Sequence, residues 1–183
     1  MITSLLDGKS AALVVVDMQE KLIPLMSRKE RLVDNLIILV RLAELFNIPI
    51  VLTEHYVKWL GGTIRDLTES LPAYEPIHKM DFNCCAADNF NRRLESLNVA
   101  NIILAGVETH ICIFQTCFAL LEKGFQVHIP QDAVDSRTDE NWRIGLGLMR
   151  DTGAVITSTE TIVYQVLKKA GTAKFKTMLR MIR

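Results

Sequence analysis

Apolar positions along this chain fall into two kinds of run. "AALVVVD" (Ala11 to Asp17) and "IPIVLTE" (Ile48 to Glu54) are short, β-branched and almost continuously apolar, as strands buried on both faces are. Between them Leu32, Leu36, Leu39, Ala43 and Phe46 recur every three or four residues, which predicts a long helix ended by Asn47 and Pro49. Two strands joined by such a helix form a βαβ unit. "PIHKM" (Pro76 to Met80) predicts another short strand, and Phe90, Leu94 and Leu97 make a helical stripe that Asp88 is placed to cap. "NIILAG" (Asn101 to Gly106) and "FQVHIP" (Phe125 to Pro130) follow as buried strands, with a helix between them closing at Gly124. After a helix rich in Leu and Met comes "AVIT" (Ala154 to Thr157), and Thr157 and Glu160 have capping-box spacing before "TIVYQVLKKAG".

Strands alternating with helices predict a three-layer α/β/α fold around a doubly wound, mostly parallel sheet. His55 to Glu75 reads as the longest loop, and its Trp59, Leu60, Gly61 and Gly62 suit a pocket wall or a subunit contact. The basic, partly apolar tail "AKFKTMLRMIR" predicts a docked terminal helix or a subunit contact.

The 183 residues, 49% of them hydrophobic, suit one domain over residues 1–183 with one core. Basic and acidic residues balance at 21 each, so no global field favours nucleic acid or an anionic membrane, and a small molecule or another protein is the expected partner. The start lacks a signal-peptide pattern and no apolar run reaches the ~18 residues that span a bilayer, so a cytoplasmic protein is expected. Cys84, Cys85, Cys112 and Cys117 lack C-x-x-C spacing, which predicts reduced thiols.

In open parallel sheets ligands bind beyond the C-terminal strand ends, where the strand order reverses. Asp17 ends the first strand, Lys79 the third, and the fourth leads through "GVETHI" to Cys112. Taken singly, these are a turn residue, a solvated lysine and a packing cysteine. Together they bring a carboxylate, an ammonium and a thiol to one side of the sheet.

The stretches "ALVVVDMQ", "HKMDFNCC" and "ILAGVETHICIFQTCFALLEKGFQV", continued by "QDAVDSR", resemble the isochorismatase-like superfamily of cysteine hydrolases, in order and spacing from about Ala11 to Thr157. "TEHYVKWLGGT" is similar to its isochorismatase-domain-containing branch. The resemblance implies a six-stranded sheet and a catalytic triad of Cys112, Asp17 and Lys79. It also implies an oxyanion hole from the backbone N–H groups of Glu108 and Cys112, beside a cis peptide from Val107 to Glu108. Retention of Cys112 points to acyl chemistry, namely hydrolysis of a small amide, ureide or carbamoyl compound, rather than vinyl-ether cleavage. Trp59, Leu60 and Phe82 are the candidate pocket wall by position. A homo-oligomer is expected.

No cofactor or metal is expected. The scattered His55, His78, His110 and His128 form no metal motif, and "TEHYVKW" holds one His where the nicotinamidase branch has a D-x-H…H set. Asp17-Met18-Gln19 lacks the glycine-rich phosphate turn of nucleotide folds. The competing reading is a non-catalytic, oligomeric interaction protein that retains the fold. At Cys112 a helix N-terminus and a nearby cation favour an acidic thiol while Asp17 opposes it as a negative neighbour, and Lys79 is expected to decide the balance.

Overall fold

The computed structural model describes residues 5–182. Its elements in chain order are β1 (Ala11–Val16), α1 (Lys29–Phe46), β2 (Ile50–His55), α2 (Val57–Leu60), α3 (Arg65–Thr68), β3 (Ile77–Lys79) and α4 (Asp88–Leu97). They continue as β4 (Asn101–Val107), α5 (Phe114–Glu122), β5 (Gln126–Pro130), β6 (Val134–Asp135), α6 (Asp139–Asp151), β7 (Val155–Thr157), α7 (Thr159–Leu167) and α8 (Ala173–Leu179). The sheet runs β3-β2-β1-β4-β5-β7 and is parallel throughout, with the two-residue β6 added beside β4. Six strands therefore match the predicted sheet, and the seventh is too short to carry a periodicity.

Alternation along the strands divides the core into two. Leu13, Val15, Ile103 and Ala105 face Leu36, Leu39, Ile162, Val163 and Met178 of α1, α7 and α8. Val14, Val16, Ile102 and Leu104 face Phe90, Leu94, Ile113, Leu120 and Met149 on the opposite side. Both faces are covered, which is why these strands read as apolar runs. The C-terminal tail docks as α8, with Met178 fully buried. Among the described residues no helix is long and apolar enough to cross a membrane.

Three local expectations need correction. Asp88 is the first residue of α4; the cap position is Ala87, which has no side-chain bond to offer. The cap of α7 is Ser158, whose side chain accepts from Thr161 N–H, while Thr157 still belongs to β7. The segment from His55 to Glu75, read as one long loop, contains α2 and α3. The Gln19 carboxamide donates to the His55 and Gly61 carbonyls at 2.9 and 2.7 Å and accepts from His55 N–H at 2.7 Å. The buried Glu54 Oε1 accepts from Thr63 N–H and Oγ1, both at 2.7 Å, and from Tyr74 OH at 2.5 Å. None of these long-range bonds has a local signature.

Candidate functional site

The strand order reverses between β1 and β4, and this switch point is where Asp17 and the Cys112 turn meet. Asp17 follows β1 in a left-handed conformation, φ 54°, which a short polar side chain tolerates. Its carboxylate is fully buried and held twice, by the Thr53 hydroxyl at 2.9 Å on Oδ1 and by Lys79 Nζ at 2.7 Å on Oδ2. Nζ also donates to the carbonyls of Asp81 and Phe82, at 3.2 and 3.4 Å. Burial opposes the Lys79 charge, but Asp17, with Cys84 and Cys112 nearby, outweighs it, and the ammonium pKa lies above its ordinary value.

The third group arrives on an unusual turn. Thr109–Ile113 is π-helical and runs into α5, with Cys112 near its end and 7% exposed. π-turns of this kind often mark functional sites. The Glu108 carbonyl accepts from the N–H groups of Ile111 and Ile113, at 3.0 and 3.2 Å, and skips that of Cys112 between them. The peptide from Val107 to Glu108 is cis, as the resemblance implied. The Glu108 side chain turns away to accept from Arg137 N and Nε at 3.0 and 3.1 Å, leaving its backbone as the part beside the turn. Gly145 of α6 packs directly on this turn; a Cβ there would lie 2.8 Å from the Thr109 carbonyl carbon and oxygen.

The balance at Cys112 tips away from an acidic thiol. Burial first, and then the charge of Asp17, push its pKa well above the ordinary thiol value, and Lys79 offsets only part of this. Burial likewise raises Cys84 to about 11 and Cys85 and Cys117 to about 12. Cys112 therefore rests as a neutral thiol, with the carboxylate that can take its proton beside it. All four cysteines are free.

Of the sequence candidates, the structure brings Asp17, Lys79, Cys112 and Phe82 together. Trp59 is 66% exposed with the Lys21 ammonium 5.4 Å from its ring, and Leu60 lies on the same pinned loop, its carbonyl accepting from Lys21 N–H at 3.1 Å. Two further residues belong to the cluster, of which only Thr53 escapes sequence reasoning. Thr53 orients Asp17, and Cys84 stands at the base of the site, its sulfur 3.8 Å from the Thr53 hydroxyl and its N–H donating to Thr116 Oγ1 at 3.0 Å. Cys84 is completely buried behind the cluster. A cavity of about 610 Å³ lies at the opposite end of β2 around Ile48, Pro49, Leu71 and Arg93, away from this chemistry. Among the described residues no three His, Cys, Asp or Glu side chains form a metal-holding group.

These features define a doubly wound α/β protein with a thiol, a carboxylate and an ammonium gathered at its switch point. The chain belongs to the isochorismatase family, whose domain model matches residues 11–161. It is 33% identical over 178 residues to the secreted isochorismatase effector Isc1 of Phytophthora sojae, covering 95% of this chain and 85% of that protein. Among solved structures, the MAR1 ribonuclease of Caenorhabditis elegans has a TM-score of 0.91 at 32% identity, covering 98% of this chain and 92% of that one. YcaC of Escherichia coli, an octameric hydrolase of unknown specificity, shares the fold with a TM-score of 0.92 at 22% identity, covering 99% and 92%.

Proposed function

We propose that this isochorismatase-family hydrolase cleaves the C–N bond of a small amide, ureide or carbamoyl compound through a thioester on Cys112. The observation that carries the reading is the Asp17 carboxylate, oriented by Thr53 and Lys79 against a neutral buried thiol. As sulfur attacks the carbonyl carbon, its proton passes to Asp17, and the N–H groups of Glu108 and Cys112 receive the oxyanion. The tetrahedral intermediate collapses as Asp17 returns that proton to the leaving nitrogen. Water then attacks the thioester, gives a proton to Asp17 and releases the acid, and the proton returns to sulfur. Lys79 Nζ holds the Asp17 carboxylate in position through both half-reactions.

The test is a panel of small amides, ureides and carbamoyl compounds, with isochorismate included. Turnover is expected for an acyl compound and lost in Cys112→Ala, while isochorismate stays unturned because its scissile vinyl ether has no acyl carbon for sulfur to attack. Robust isochorismate cleavage surviving in Cys112→Ala defeats the covalent reading. Turnover of nothing on the panel favours the non-catalytic interaction protein. The C. elegans relative is named for ribonuclease activity, but this chain's equal 21 basic and 21 acidic side chains supply no field to hold a polyanion.

Alkylation checks the electrostatics separately. Cys112 is expected to react with iodoacetamide ahead of the fully buried Cys84 and Cys117, and Lys79→Met is expected to slow it, because the lost cation was lowering the thiol pKa. Peptide mass spectrometry ranks the sites, with the half-buried Cys85 as internal control. Labelling of Cys112 that is indifferent to Lys79 would separate the two groups electrostatically.

Self-association belongs to the same reading. Phe118 on α5 and Ile144 and Leu148 on α6 are 44%, 48% and 42% exposed on two helices that pack together. Such a patch suits a contact with a second copy of the chain. Light scattering should return a multiple of the monomer mass, falling to the monomer in Phe118→Lys with Leu148→Glu. A monomeric wild type at high micromolar concentration rules the assembly out.

A further inference from the structure

The first half of β2 has an unpaired edge. Leu13 and Asp17 N–H donate to the carbonyls of Pro49 and Thr53, so the odd-numbered residues here face β1, and Ile50 and Leu52 turn their main-chain groups the other way. β3 joins on that side only from the pair Thr53 and Ile77 onward. Among the described residues, none bonds to Ile50 N–H, Ile50 C=O or Leu52 N–H. An ordinary edge strand leaves such groups to bulk water. Here they border the cavity of about 610 Å³, walled by Leu71, Pro72 and Ala73, by Ala43 of α1 from one sheet face and by Asn89 and Arg93 of α4 from the other. Main-chain groups in a walled space need partners. The three run donor, acceptor, donor along two alternate residues of a rigid strand.

We propose that this cavity binds an uncharged, planar cyclic imide, whose C=O, N–H and second C=O lie in the plane of the sheet and answer Ile50 N–H, Ile50 C=O and Leu52 N–H in turn. The volume is that of a small-molecule site. A peptide strand added to the edge gains only the same three bonds before β3 blocks it at Thr53, so a compact ligand is the better match. Glu44, Glu75 and Arg93 line the same space, where an anion meets two carboxylates and a cation meets the guanidinium. The site lies at the end of β2 remote from Asp17 and Cys112. Binding there asks nothing of the thiol and stands apart from the hydrolase reading.

Succinimide is the probe, and N-methylsuccinimide, which lacks the N–H, is its control. In isotopically labelled wild-type protein the Ile50 and Leu52 amide resonances are expected to shift and saturate as succinimide is added. The control is expected to bind roughly tenfold more weakly, because Ile50 C=O then loses its donor. Ala73→Trp, a change at an exposed position on the cavity wall, is expected to abolish the shifts while the remaining spectrum stays that of the folded protein. Unmoved Ile50 and Leu52 amides at roughly 10 mM succinimide, equal binding of the two imides, or shifts that survive Ala73→Trp each overturn the proposal. Movement of both amides with protein concentration alone also overturns it, since the edge then belongs to a second copy of the chain.

Discussion

Replacing Asp17 by Asn is expected to lower the proposed Cys112-dependent hydrolysis by roughly 10³-fold, the range a positioned acid–base group supplies. Asn can still accept from Thr53, but it cannot carry a proton to the leaving nitrogen. Alkylation of Cys112 should not fall in parallel, because removing the negative neighbour lowers the thiol pKa. That divergence between reactivity and turnover is the signature of a general base rather than of a scaffold residue. Stability changes as well. The Lys79 side chain is completely buried, and an unpaired ammonium there costs about 3–5 kcal/mol. The double variant Asp17→Asn with Lys79→Met removes both charges, so most of the stability returns in urea melts while activity stays lost. If Asp17→Asn hydrolyses an amide at the wild-type rate, the base lies elsewhere and the proposed mechanism fails.

Gly106→Ala is the most destabilising single-methyl change expected in this chain, beyond about 4 kcal/mol and within the exceptional tail for point variants. Gly106 sits in β4 at φ 114°, a region L side chains rarely adopt, and a Cβ there would stand 2.1 Å from the Val16 carbonyl oxygen and 2.8 Å from its nitrogen. Neither atom can retreat, since β1 is paired with β2 on its other side. The same contact joins β1 to β4 immediately before Asp17 and the Cys112 turn, so residual folded protein should also lose activity. Gly147→Ala is the control. A methyl there meets nothing within 4 Å, and in the middle of α6 it should stabilise by up to about 1 kcal/mol. Equal urea midpoints for Gly106→Ala and wild type would show that the two strands can part.

The amino-acid sequence by itself determined the layers and the strand ends. Strands buried on both faces must be apolar along their length, and helices packed on them must repeat at three and four residues, so both leave a pattern any reader of the chain can find. Asp17, Lys79 and Cys112 followed, because a parallel sheet delivers its strand ends to one side. Features that depend on one hydrogen bond or one dihedral were not legible. The cap at Ser158 rather than Thr157 turns on which oxygen reaches an N–H, and "THICI" reads as ordinary helix although it folds as a π-turn. Tertiary structure alone decided the chemical state of the site. Thr53 meets Asp17 across 36 positions and Lys79 across 62, so no local window contains the pair. The balance of charges on Cys112 was decided there for the same reason. A helix start, a lysine and an opposing carboxylate are visible in sequence, but the burial that decides between them exists only once the strands are assembled.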